Sequence, residues 1–369
     1  MSVGRLSILL FLLIGAASPA ASIGASSLPP VPQQEKIPAS EAADTAALIE
    51  TFTGLIRHEY QSGVRPAPRD AHPKAQGCVR GSFTVRSGLS SKFGYAVFAS
   101  AKTYPTWIRF SNGNPQKQPD GIGDGRGMAI KVIGVTGPKL VPDEPSSQDF
   151  VMINFPVFFS ANAHDYLEFG QALVGNTIPA FVKKHPRDAQ IAHDTSSRVT
   201  RDMFAQTYFS MSPYTIGKRY MKFRTVPVRC QGGPALPDYP GALQTDPNFL
   251  RTRMALDLGA GSVCFQLQIQ LQTDAATQPI ENTTVEWNES QAPFVAVADI
   301  VIPKQTFTSD AQQTFCENLS YTPWHGSVDL RPVGGINRIR LAVYNASNAL
   351  RHSLNKAPFV VPTGYEHFK

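Results

Sequence analysis

Phe265-Gln266-Leu267-Gln268-Ile269-Gln270-Leu271-Gln272 alternates apolar and amide side chains without a break. Successive side chains on a strand point to opposite faces, so this octet predicts a strand with one buried and one wet face. Working outward, shorter strands are expected at residues 82–86, 106–111, 128–135, 149–153, 295–302 and 338–343. Residues 41–60 read differently: Ala46, Ile49, Phe52 and Ile56 recur at helical spacing. Residues 164–210 also read as helical, through Tyr166, Phe169, Leu173, Phe204 and Tyr208. Strands with helices inserted among them indicate an α+β fold on a mainly antiparallel sheet, open or closed.

A chain of 369 residues suggests two domains, but a large β-barrel can use that length as one. A single domain over residues 41–369 is therefore expected. The hydrophobic fraction of 42% excludes global disorder. The net charge of +6 is small for this length, and no run of five basic residues occurs, so no nucleic-acid partner is expected. Cys78, Cys230, Cys264 and Cys316 are too few for a disulfide-built scaffold, and none has the CxxC spacing of a zinc site. Three pairings are open to them, and so is a free Cys78.

Arg5 precedes an apolar run from Leu6 to about Ala17, which is too short to span a bilayer as a helix. Small residues follow, at Ala20, Ala21 and Ser22. A basic start, a short apolar centre and small residues read as a secretory signal over residues 1–22, cleaved between Ser18 and Ser26. The mature protein is then expected to be exported, periplasmic or secreted, without a stable membrane span, where cysteines can oxidise. Residues 23–40, rich in Ser, Pro, Ala and Gln, read as a flexible leader. Sequons at Asn282, Asn288, Asn318 and Asn345 matter only on a eukaryotic secretory route.

Four segments carry side chains suited to chemistry. Arg69-Asp70-Ala71-His72-Pro73-Lys74 places a His before a Pro, either a packing residue or a proton acceptor. In Thr106-Trp107-Ile108-Arg109-Phe110-Ser111 a cation interrupts an apolar strand. That is costly unless Arg109 meets an anion, bound or from Asp124 nearby. The glycine-rich stretch from Gly123 to Gly127 lacks the Gly-Lys-Ser/Thr of a phosphate loop. Asn154 sits in the apolar run from Phe150 to Phe159, as a structural cap or as an amide facing a ligand. Finally, if a helix starts near Arg340, then Tyr344 four residues on and Arg351 seven further share its face.

Together these segments resemble the haem-dependent catalase family, in the same order and at similar spacing. Arg69, His72, Lys74, Gly77, Phe83 and Val85 match the family's distal segment. Arg109-Phe110-Ser111 matches its Arg-Phe-Ser strand, and Asp124 to Gly127 its Asp-x-Arg-Gly. Asn154 to Phe159 matches the distal Asn with its Pro-x-Phe-Phe. Arg340, Tyr344 and Arg351 match the proximal Arg-x-x-x-Tyr and the Arg seven residues later. Residues 268–272, Trp287 and residues 297–303 follow the family's layout, so the resemblance covers roughly residues 45 to 355.

The resemblance implies a catalase-like closed antiparallel β-barrel with inserted helices. It implies haem b, with Tyr344 on the iron, Arg340 beside it, and Arg69, Arg109 and Arg351 on the haem carboxylates. It makes His72 the distal acid–base group, held by Ser111, and Asn154 a donor to the peroxide.

Departures bear on the substrate. Ala71 replaces a β-branched residue before the His, Pro73 a small residue after it, and Gly113 a channel Val. Ala75 stands where a glycine is usual, and one extra residue precedes Phe83. The aromatic that stacks on haem falls near Leu167, with Tyr166 or Phe169 as substitutes. Pro-Asp-Thr does not follow Tyr344, and the sequence then runs only to Lys369, so the family's C-terminal helical region is expected to be lacking. The expected activity is that of a peroxidase, or of an enzyme that metabolises organic, such as fatty-acid, hydroperoxides. Its partners are then peroxide with an organic reductant or a lipid hydroperoxide. A true catalase that dismutates hydrogen peroxide, a low-turnover haem-binding protein and a haem-free interaction protein are the alternatives. The oligomeric state is left open, a homodimer among the options.

Overall fold

A computed structural model describes residues 32–231 and 245–365. The expected signal at residues 1–22, and the leader as far as residue 31, lie outside the described residues. Within them the strands are β1 (Ala75–Val85), β2 (Thr103–Asn112), β3 (Arg126–Ile133), β4 (Ser147–Ile153), β5 (Tyr208–Phe209), β6 (Tyr214–Ile216), β7 (Arg219–Val228), β8 (Val263–Leu271) and β9 (Phe294–Ile302). They pair in the order β5-β4-β3-β2-β1-β9-β8-β7-β6, and β5 also pairs with β7. That last pairing closes eight strands into an antiparallel barrel, with β6 beside β5 on the same edge of β7. Closure leaves no free sheet edge in the ring.

The octet behaves as its alternation requires. Phe265, Leu267 and Ile269 are fully buried inside the barrel. Ile108 and Phe110 of β2, Met128 and Ile130 of β3, Phe150 and Met152 of β4 and Phe223 of β7 meet them there. Each such side chain contributes about 1.5–3 kcal/mol by leaving water. The opposite face is drier than expected at Gln270, which is buried. Its amide nitrogen donates to the carbonyls of Trp287 and Ala292, at 2.9 and 2.8 Å. A satisfied amide can be buried at little cost.

Seven helices join the described strands: α1 (Glu41–Gln61), α2 (Ala163–Val174), α3 (Ile178–Lys184), α4 (Pro186–Ser196), α5 (Phe249–Ala260), α6 (Asp310–Asn318) and α7 (Gly335–Asn355). Leu48 and Phe52 of α1, Leu167 of α2 and Ile336, Ile339 and Val343 of α7 form a second, smaller core. None of these helices is long and apolar enough to cross a membrane.

Several expectations need correction. Residues 338–343 are helical, inside α7. Arg-Ile-Arg-Leu looks alternating over four residues, but Ile336, Ile339 and Val343 recur every three or four and bury together. The helical reading of 164–210 holds only to Ser196; Phe204 and Tyr208 join the barrel core, Tyr208 on β5. Strand β1 begins at Ala75, well before residue 82, because Gln76, Cys78 and Val79 are all buried and no alternation marks it. The described part of the leader is fastened to the connection between β8 and β9 and to α7. Lys36 N–H donates to Glu281, and Glu35 accepts from Gly334 N–H and pairs with Arg338 at 2.7 Å.

Cys78 is bonded to Cys316 and Cys230 to Cys264, so Cys78 is not free. The first bond joins residues 238 apart and ties α6 to β1.

Candidate active site

The register of the barrel wall sets the floor of a cavity. Inward residues on β2, β3 and β4 fill the core, so Ser111, Gly127 and Ile153 fall in one outward row and Arg109, Ala129 and Val151 in the next. Gly127 and Ala129 are small, and helices α2, α4 and α7 stand off from them. The space between is a cavity of about 460 Å³, reached by His72 on one side and by Arg340, Tyr344 and Arg351 of α7 on another. This is within the usual range for ligand pockets.

His72 sits just before β1 with a positive φ of 59°. That conformation is strained for a residue with a side chain and persists only where its surroundings enforce it. Here Arg109 Nη2 donates to the His72 carbonyl at 2.8 Å, and Nδ1 lies 3.0 Å from Ser111 Oγ. Gly127 is required beneath the ring, since a Cβ there would stand 2.8 Å from it. With Nδ1 engaged, Nε2 is the nitrogen available to the cavity. Burial, then the charges of Arg109, Arg340 and Arg69, lower the imidazole pKa to about 3. His72 is therefore neutral at ordinary pH and able to take up a proton.

On α7 the four-residue step brings Arg340 onto Tyr344. Nε and Nη2 both donate to the phenol oxygen, at 3.1 and 2.9 Å. Arg340 Nη1 donates to Asn337 Oδ1 at 3.2 Å, and Ser212 Oγ donates to the same oxygen at 2.9 Å. The Asn337 amide nitrogen donates to the carbonyls of Pro213 and Val333. Asn337 thus fixes Arg340, which aims at the phenol. This support was not anticipated from sequence, because an Asn one turn before an Arg has no distinctive spacing.

Asn154 is not brought to the cavity wall. Its amide oxygen accepts from Arg126 N–H at 2.6 Å, its nitrogen is 3.4 Å from Gln206 Oε1, and Ile153 takes the wall position. The structural-cap alternative describes these contacts. Tyr166 and Phe169 both line the cavity, whereas Leu167 turns into the α1–α7 core.

Arg69, Arg109 and Arg351 converge at one end, as the resemblance implies. The group among them is Glu317, which sequence reasoning missed. Only its place after Cys316, the partner of Cys78, could have pointed to it. The buried trio Glu144, Asp149 and His325 has the look of a metal site, but the Lys131 ammonium lies among them, 2.8 Å from Asp149 Oδ1.

The sequence model of the catalase family matches residues 31–229, more than half of the chain. The chain belongs to the catalase family. The matched segment holds His72, Ser111 and Asn154, and Tyr344 lies beyond it. Among solved structures, a fungal catalase aligns at 16% identity over 80% of this chain and 61% of its own, with a TM-score of 0.59. A bacterial catalase aligns at 14% identity over 83% and 62%, with a TM-score of 0.61. The chain thus spans about three-fifths of the length of these catalases. Comparison with curated proteins finds no match.

Members of the family bind haem iron, and the residues here fit that group. Tyr344 presents an oxygen held by two guanidinium donors. Arg109 and Arg351 are buried and Arg69 is nearly so, a cluster that calls for carboxylates, and the Nε atoms of Arg109 and Arg351 are buried without a hydrogen-bond partner.

Proposed function

We propose that this protein is an exported haem-dependent oxidoreductase acting on peroxides, with organic hydroperoxides or organic reductants as preferred partners. One observation carries the reading: His72, held by Ser111, faces the same cavity as a Tyr344 held by Arg340. Haem, when bound, supplies the redox-active iron at which a peroxide O–O bond is cleaved.

The chain's own residues then do the following. Tyr344 would hold the iron through its phenol oxygen, and Arg340 donates two hydrogen bonds that keep that oxygen in place. Arg69, Arg109 and Arg351 bind the haem carboxylates. His72 Nε2 would accept the proton of the peroxide oxygen held next to it and keep that proton for the other peroxide oxygen. Ser111 keeps the ring oriented during both transfers.

The preference for organic partners rests on access. Ala71 and Gly113 both line the cavity and both are small. The two are not equivalent as test positions. A Cβ at Gly113 would stand 3.0 Å from the Gly125 carbonyl oxygen, so enlarging it disturbs backbone. Ala71→Val is the cleaner change. It is expected to slow a bulky hydroperoxide relative to hydrogen peroxide by about tenfold, the scale of a methyl-sized misfit. The check is the ratio of the two rate constants in parent and variant. A parent that releases oxygen rapidly from hydrogen peroxide and ignores every organic peroxide and reductant is instead a true catalase.

Export is supported by the basic-apolar-small pattern at the start of the chain and by two disulfides, which persist in oxidising compartments. Mass spectrometry of the protein from its native host should find the mature N-terminus between Ser18 and Ser26. An intact Met1 terminus in the cytoplasm would contradict export.

A further inference from the structure

The arginine cluster already contains an anion. The side chains of Arg69, Arg109 and Arg351 are 14%, 4% and 6% exposed. Three cations so close, and so far from water, repel one another unless a negative charge lies among them. Glu317 provides it. Its Oε2 is 2.5 Å from Arg69 Nη1 and 3.5 Å from Arg351 Nη2, and its Oε1 is 3.7 Å from Arg109 Nη2. The Glu317 side chain is 32% exposed; partial desolvation raises its carboxyl pKa, but the charges of Arg69, Arg109 and Arg351 outweigh that and hold it down at about 2.

Glu317 is also fixed by the chain. It follows Cys316 at the end of α6, and the Cys78–Cys316 bond anchors that end to β1. Arg69 Nη2 donates to the carbonyl of Leu319 at 3.0 Å, and Arg351 Nη2 to that of Glu317 at 3.2 Å. The carboxylate is therefore presented to the cluster by the fold and has not merely drifted in from a flexible surface. Arg109 carries the arrangement further, because the same Nη2 that faces Glu317 donates to the His72 carbonyl.

We propose that Glu317 is a built-in counter-anion that preassembles the three arginines and competes with an incoming haem carboxylate for them. This rests on the haem reading above. Glu317 is then a positioning residue that sets affinity for carboxylate-bearing tetrapyrroles. Donors that Glu317 leaves unused are at hand for the second carboxylate: Arg109 Nε, Arg351 Nε and the phenol of Tyr321, all buried without a hydrogen-bond partner.

The test compares haem with haem dimethyl ester, which has no free carboxylates. Both are titrated into haem-free parent and Glu317→Gln protein, with binding read from the visible spectrum. The variant is expected to bind haem about tenfold more tightly, the scale of a charge-assisted hydrogen bond regained, and to bind the ester unchanged. Without ligand the variant is expected to melt below the parent, and with haem at or above it. Equal or weaker haem binding by a folded variant overturns the inference, as does an equal gain with the ester. If Glu317→Gln does not fold, Glu317→Asp retains the charge and withdraws it from Arg69; it should show a smaller gain for haem alone, and no gain overturns the inference. A parent that takes up neither compound overturns the haem reading and this inference together. A parent that takes up haem, with variants that do not differ, overturns only the inference.

Discussion

Tyr344→Phe is expected to weaken haem binding by more than about a hundredfold while the barrel stays folded. The change removes one oxygen and leaves the ring among its α7 neighbours. The loss should exceed the 10- to 100-fold typical of removing an outer partner of a metal ligand, because here the ligand atom itself goes. Arg340 then loses the acceptor of two hydrogen bonds but keeps Asn337, so the apoprotein should lose only about 1–3 kcal/mol. Circular dichroism checks the fold, and equilibrium titration checks the haem. Unchanged haem affinity in a folded Tyr344→Phe protein would remove Tyr344 as the ligand.

His72→Ala is expected to leave haem binding in place and to slow reaction with peroxide by about 10²- to 10⁴-fold, the usual share of a positioned acid–base group. The pH dependence offers a second reading of the same residue. Burial and three nearby arginines depress the folded pKa of His72 to about 3, so the neutral proton acceptor is present above that value. Haem carboxylates on Arg69 and Arg109 would offset part of this shift, but burial, its largest cause, and Arg340 remain, so the parent's rate should stay flat through pH 6–7 and fall only at lower pH. Stability has the matching sign. Below the unfolded pKa of about 6.5 the unfolded chain takes up the proton first, so His72 costs stability progressively as pH falls toward 3. A rate that instead rises through pH 6–7 would point to a base with an ordinary pKa.

Sequence reading succeeded where one periodicity or one spacing decides the outcome. The Phe265–Gln272 alternation and the Arg340–Tyr344–Arg351 spacing are both of that kind, and both needed only local geometry. It failed where burial on both sides erased the pattern, as at the start of β1. It failed again where a few alternating residues concealed a helix, as at 338–343. Asn154 shows a different limit. Sequence can say that a buried amide needs partners, but Arg126 N–H and Gln206 come from other segments. Glu317 is the plainest case, because no local signal marks a glutamate that meets three arginines from three segments.

The claim that the cavity between His72 and Tyr344 holds haem is tested most directly by the visible spectrum of the purified protein as haem is added. A change that saturates at about one haem per chain, with a band distinct from that of free haem, is the predicted result. A spectrum that remains the sum of protein and free haem at every ratio would contradict it.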